Sequence, residues 1–259
     1  MRAKTRNNPI SGAGYVLQGL TLIRQKGVKR YVVIPLLINI LLFVVAILLF
    51  AAQLPLLMGW LVQMLPAWLV WLSWLSVPLF VIVSALLVLL SFTVVGNIIA
   101  APFNSRLAEV VEERLTVQTP GPPEGWRRLP GNVLHGLYSE IQKLVYFTVR
   151  AIPLLIIMVI PGLNLVSPVL WLLFSSWVLA LEYADYPMAN HGIGFRRQRQ
   201  LLQKRRFLAL GYGGMLTLVL LVPGLNLFLI PAGVAGATAM WVEQLSGAVY
   251  RGEDKSPSS

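Results

Sequence analysis

Between Arg30 and Arg106 the chain runs for 75 residues without a charged or histidine side chain. A helix crosses the hydrocarbon core of a bilayer with roughly 20 apolar residues, so this one stretch holds at least two crossings. A soluble core of that length would carry polar punctuation. With 57% of its residues apolar and only 12% charged, the chain reads as an all-α integral membrane protein. Its 259 residues make one membrane domain rather than several.

The charge is one-sided. A net charge of +11 in such a chain marks cytoplasmic loops rich in Lys and Arg, not a nucleic-acid surface. Residues 1–30 hold seven basic side chains and no acidic one. They read as a basic cytoplasmic segment, without the apolar core and cleavage site of a signal peptide. Two transmembrane helices are expected in 31–105. The first runs from about Tyr31 to Leu54. Pro55–Leu75 carries Pro55 and Pro66 with Trp60, Trp68, Trp71 and Trp74. Tryptophan favours the headgroup level, so this stretch reads as the turn on the far side. The second helix returns from about Val77 to Arg106.

From Asn104 the sequence NSRLAEVVEERL is amphipathic, with Leu107, Val110, Val111 and Leu115 at helical spacing. Residues 106–150 read as a solvated cytoplasmic helical hairpin, broken at QTPGPPEGW, with its second helix over Asn132–Arg150. A gating or ligand-guiding role for Arg106, Glu109 and Arg114 is the alternative.

Two further uncharged runs, 151–181 and 207–242, are each interrupted by the same tetrad PGLN, at Pro161–Asn164 and Pro223–Asn226. Proline lacks a donor and clashes with the preceding turn, while glycine permits a left-handed backbone. The first tetrad leaves arms of ten and seventeen residues, the second sixteen on each side. Sixteen helical residues reach about 24 Å, short of a core of roughly 30 Å. Each run therefore reads as a re-entrant hairpin that penetrates partway; full crossing is the alternative. Either way each hairpin returns to its starting side, which leaves both termini cytoplasmic. Residues 182–206 read as a polar loop holding Glu182, Asp185, Tyr186, Asn190 and His191, then a basic helix on the anionic leaflet. Residues 243–259 form a polar tail.

No phosphate-binding loop, HExxH pair or nucleophile elbow occurs, cysteine is absent, and the two histidines lie 56 residues apart. The expectation is no catalytic residue, no metal ligand and no cofactor, which leaves transport. An anion entering a bilayer must exchange its water for other donors, and free backbone N–H groups at helix N-termini supply them. The tips Gly162-Leu163-Asn164 and Gly224-Leu225-Asn226 fit that device, with Ser167-Pro168 as N-cap and first helical residue after the first tip. A plain helix–turn–helix linker explains PGLN as well. A second donor set is Gly27, Lys29 and Arg30, where the chain enters the first span; ordinary positive-inside anchoring also explains it.

The strings VKRYVVIPLLINILL, AAPFNSRLAE, IPGLNLVSPVLWLLFSSWVLALEYADYPMANH and PGLNLFLIP with AGATAMWV together resemble the bacterial CysZ sulfate permeases, from about Gly14 to Val242. The resemblance implies an ATP-independent sulfate transporter of the inner membrane that feeds cysteine biosynthesis. It also implies two long transmembrane helices, two partly penetrating hairpins and assembly as a homo-oligomer. It puts sulfate, or related oxyanions such as sulfite, at Gly27, Lys29 and Arg30 and at the Gly162–Asn164 tip. With less weight it implies other functional positions, in a pathway or gate rather than at the bound anion, at Arg106 or Arg114, Glu109 and His191. Family members often carry two arginines where this chain has Lys29-Arg30, so one bidentate fork is lost here while the charge is kept.

Moving two negative charges inward against about 100 mV costs roughly 4.6 kcal/mol. A channel-like path needs cytoplasmic sulfate kept low. A proton-coupled carrier needs a titrating group near the path, for which His191 beside Asp185 and Glu182 is the candidate. The rival class is a non-conducting membrane scaffold or bilayer-shaping protein.

Overall fold

The computed structural model describes residues 7–64, 66, 73–116, 129–222 and 226–250. Every regular element among these residues is helical. They form two compact units, Arg30–Phe103 and the remainder, Met1–Lys29 with Asn104–Ser259.

The first of these units contains α2 (Arg30–Met64) and most of α3 (Ser73–Leu115). Leu41, Leu48, Leu87 and Ile82 stand exposed along them. Helices apolar on every side suit lipid, not water. The far-side turn expected over Pro55–Leu75 is shorter than that, because α2 continues through Pro55 to Met64. A proline costs a helix one hydrogen bond, whereas ending the helix there would leave several backbone groups unpaired in hydrocarbon. Trp68 and Trp71 lie outside the described residues.

α3 also overruns its expected end, passing Arg106 without a break and stopping at Leu115. Leu107, Ala108 and Val111 are fully buried there, and Arg106 pairs with Glu109 one turn on. The segment 104–115 is therefore the end of a long helix rather than half of a separate hairpin. Likewise α4 (Leu129–Val159) joins the expected helix 132–150 to the first arm of the PGLN hairpin, with Pro153 inside it. Arg150 does not interrupt the helix, since its guanidinium stacks on Tyr146 one turn earlier, 3.7 Å from the ring centre. The break QTPGPPEGW lies outside the described residues.

After the first tip comes α5 (Ser167–Asn190), then α6 (Phe195–Lys204), α7 (Arg206–Leu220) and α8 (Asn226–Met240). A π-helical turn, Trp241–Leu245, leads into α9 (Ser246–Tyr250), so part of the expected polar tail is helical. Among the described residues three helical stretches are long and apolar enough to cross a membrane: Arg30–Trp60, Tyr138–Val159 and Ser167–Asn190. The arms of the first hairpin are thus longer than the uncharged run suggested. Those of the second, α7 and α8, have 15 residues each and reach about 22 Å.

The largest departure concerns residues 1–30. Pro9–Leu22 is a helix, α1, packed against both α7 and α8. Pro9 takes its first position and Asn8 caps it, accepting a 2.6 Å hydrogen bond from the Ser11 N–H. Tyr15, Val16 and Leu22 are buried. Glycines allow the approach. A Cβ on Gly12 would lie 2.1 Å from the Leu208 carbonyl oxygen, one on Gly19 2.0 Å from that of Ala232, and one on Gly213 1.7 Å from that of Ser176. α5 packs on α7 and α8 as well, so α1, α5, α7 and α8 form the core of this unit.

Gly213→Ala and Gly19→Ala should each destabilise the protein by about 1–3 kcal/mol, since backbone must move. Gly14, with nothing near its Cβ position, should accept alanine without loss. Thermal unfolding in detergent compares the three; equal midpoints for Gly213→Ala and Gly14→Ala would refute the close-packing account.

Candidate functional site

The chain leaves α1 through a tight turn. The N–H groups of Val28 and Lys29 both donate to the Gln25 carbonyl at 3.2 Å, and the Val28 side chain is fully buried. Gly27 adopts φ +90, the left-handed region that side chains disfavour. Arg114, in the last turn of α3, closes against it. Its Nη1 donates to Gln25 Oε1 at 3.2 Å and its Nη2 to the Lys26 carbonyl. A Cβ on Gly27 would stand 2.7 Å from Nη2, so position 27 requires glycine for conformation and for space. The structure thereby unites Gly27 with Arg114, which the sequence had named for separate roles. Lys29 is exposed at the end of the turn. Arg30 opens α2, with its guanidinium 4.8 Å from the Tyr31 ring centre and Nη2 donating to the Tyr31 hydroxyl at 2.9 Å.

The first tip is built as expected at Gly162, which has φ +86, followed by one 3-10 turn over Leu163–Leu165. The Asn164 N–H donates to the Ile160 carbonyl at 3.1 Å. All residues from Pro161 to Val166 are exposed. The capping differs from expectation: Val166 is the N-cap of α5 and no side chain caps it. Ser167 is the first helical residue, with Pro168 second, and is buried. Among the described residues no hydrogen bond joins this tip to the Gly27 turn. In the second tip, Gly224 and Leu225 lie outside the described residues, and Asn226 begins α8.

The polar stretch Asp185–His191 belongs to the end of α5 rather than to a loop, and its members act as joints. Asp185 accepts from Lys143 Nζ at 2.5 Å and from Gln198 Nε2 at 2.6 Å. Lys143, which sequence reasoning passed over, also donates to Glu140 at 2.7 Å, and its side chain is 7% exposed. The Tyr186 hydroxyl meets Asn104 at 3.4 Å, and Asn190 donates to the Ser105 carbonyl at 3.0 Å. His191 Nε2 lies 2.9 Å from Glu112, and its ring centre 5.4 Å from that of Trp241. The cluster expected of His191 with Asp185 and Glu182 is therefore divided. Glu182 and Asp185 share the field of Lys143, while His191 answers to Glu112. Arg106 pairs with Glu109 and, at 3.9 Å, with Glu113. No group of three or more His, Asp or Glu suited to a metal ion occurs among the described residues.

The hydrogen bond to Glu112 raises the His191 pKa above its ordinary 6.5, partly offset by burial. A raised folded-state pKa stabilises the fold fully below the unfolded value and loses that contribution as pH rises through the folded value. Thermal stability in detergent should therefore fall as pH climbs above about 6.5, and Glu112→Gln should flatten the decline. An identical profile in Glu112→Gln would remove the pair from the account.

The profile of the family described as "Sulfate transporter CysZ/Etoposide-induced protein 2.4" matches residues 15–231. A protein of Pseudomonas fluorescens (strain Pf0-1) named "Sulfate transporter CysZ" is 42% identical over 235 residues, covering 91% of this chain and 94% of its own. Relatives of the same name from Pseudomonas paraeruginosa (strain PA7) and Pseudomonas aeruginosa (strain LESB58) are 40% and 39% identical, each covering 91% of this chain and 96% of its own.

Proposed function

We propose, since the chain belongs to the Sulfate transporter CysZ/Etoposide-induced protein 2.4 family, that it carries sulfate across a bacterial inner membrane without ATP, supplying cysteine biosynthesis. The supporting observation is the Gly27 turn, held by the Arg114 fork just ahead of Lys29 and Arg30. α2 starts at Arg30, and the residue before it, Lys29, has donors but no acceptor with which to cap the helix. The start of a long helix and two neighbouring cations together make a donor set suited to an anion. Sulfate or sulfite suits that donor set, and the Gly162-Leu163-Asn164 tip is the second element assigned to the path.

Conduction is channel-like in this reading. The roughly 4.6 kcal/mol needed to bring in a dianion against about 100 mV corresponds to about three decades of concentration, met by consumption of cytoplasmic sulfate. Coupling to protons is the alternative mechanism, and its candidate group, His191, pairs with Glu112. Both termini are cytoplasmic in this scheme, the hairpin of α7 and α8 penetrates partway, and the protein works as a homo-oligomer.

Liposomes containing only this protein should take up radiolabelled sulfate, at a rate unchanged by an imposed pH gradient. Absence of flux would favour the scaffold reading, and stimulation by inward proton movement would restore coupling. Arg30→Ala should weaken sulfate binding roughly 10- to 100-fold while the protein still inserts. Arg114→Ala, which frees the Lys26 carbonyl without removing a proposed ligand, should weaken binding less. If Arg30→Ala bound sulfate normally, the site would lie elsewhere.

A further inference from the structure

We infer that the cleft between α4 and α6 binds the phosphate headgroup of an anionic phospholipid. The cleft has a volume of about 410 Å³. Its floor is aromatic: Tyr146 and Phe195 are buried, with ring centres 5.5 Å apart and edge to face. The Tyr146 ring is fixed further by its hydroxyl, which accepts from Trp177 Nε1 at 2.9 Å.

Two cations share that ring. The Arg150 guanidinium lies 3.7 Å from its centre and that of Arg199 5.0 Å. Each gains from the ring's negative face, but two like charges so placed repel unless an anion lies between them. Among the described residues no carboxylate pairs with either one. Arg199 Nε is moreover buried with no hydrogen-bond partner, a costly condition for a charged group. An oxyanion with several acceptor oxygens relieves both defects, and guanidinium forks match tetrahedral phosphate geometry.

The rest of the cleft distinguishes a lipid from a free ion. Val145 and Val149 form an exposed apolar wall beside the arginines. Beyond Arg150 the helix is uncharged to its end at Val159 and exposes Ile152, Leu155 and Ile156. Charge therefore ends on α4 where an acyl-chain surface begins. A free phosphate would leave the wall and the stripe unused. A zwitterionic headgroup would bring its own cation to two guanidiniums. A lipid with net negative charge fits all three features, in line with the basic pockets by which membrane proteins hold acidic lipids.

The test is native mass spectrometry of the detergent-solubilised full chain, titrated separately with dioleoylphosphatidylglycerol, dioleoylphosphatidylcholine and inorganic phosphate. The expected result is retention of phosphatidylglycerol at least about tenfold tighter than of phosphatidylcholine, with millimolar phosphate failing to displace it. In Arg150→Gln/Arg199→Gln that preference should vanish. Should the double variant not fold, Arg150→Gln alone removes an exposed group and should cut the preference about fivefold. Equal retention of the two lipids would overturn the proposal, as would an unaltered preference in the variants. Displacement of the lipid by phosphate would overturn it in favour of a soluble oxyanion.

Discussion

In hydrocarbon an apolar side chain gains little by leaving lipid for another helix, so helices are held by the contacts that only close approach allows. The glycines of α1, α7 and α8 provide that approach. At Gly12, Gly19, Gly213 and Gly236 a single added carbon would meet the backbone oxygen of a neighbouring helix at 2.4 Å or less. These contacts seat α1 on α7 and α8, and α7 on α5. Within the basic N-terminal segment, Pro9–Leu22 is for this reason a packed helix of its unit.

The proposed sulfate turn depends on that seating. α1 delivers the chain to Gly27, and Glu243, in the π-helical turn after α8, ties α1 down by accepting from the Tyr15 hydroxyl at 2.9 Å and from Gln18 at 3.1 Å. The extra residue of a π turn shifts the face a helix presents; here Gln244 accepts from Arg205 at 3.4 Å while Glu243 reaches α1. On its other side the turn is held by Arg114. From the same stretch of α3, Glu112 reaches His191, and six residues earlier, within α5, Asp185 reaches Lys143. A buried lysine in a lipid-facing helix must be paired, and Asp185 with Glu140 does so. Asp185, Tyr186, Asn190 and His191, read from the sequence as a polar loop, thus each tie the end of α5 to a neighbouring helix.

What was legible in the sequence follows from which signals are local. Charge-free length announced α2, and the glycine of the first PGLN announced a left-handed turn, as Gly162 shows. The basic helix α6 was legible from its charge and from Leu201 and Leu202, both buried. Boundaries failed where proline or arginine was taken as punctuation. Pro55, Arg106 and Arg150 all lie inside continuous helices, because a lipid-embedded backbone keeps its hydrogen bonds and the arginines found partners within one turn. α1 was missed because its packing rests on glycines, which contribute almost nothing to hydropathy. The pairing of His191 with Glu112 joins residues 79 apart in the chain, and no spacing rule reaches that far. The signal that could have exposed Lys143 was simpler: a lysine within a helical stretch apolar enough to cross a membrane, Tyr138–Val159, requires a carboxylate partner.

The repeated tetrad carries one further consequence. Identical tetrads do not imply identical depth, since depth is set by the arms. The first PGLN joins helical stretches of 22 and 24 residues that are apolar enough to cross a bilayer; at 1.5 Å per residue they reach about 33 and 36 Å. The second joins helices of 15 residues, about 22 Å each, and α7 and α8 are the two helices packed most closely by α1. A hairpin too short to span is stable only if protein covers the backbone and polar groups that lipid cannot satisfy. α1 packs on both described arms of the second hairpin, α7 and α8, through glycine-lined contacts. The first tip has no such cover: Pro161 to Val166 stand exposed, with Gly162 open on the side where a Cβ would project. The first copy is thus open to an approaching group, while Pro223, Gly224 and Leu225 of the second lie outside the described residues.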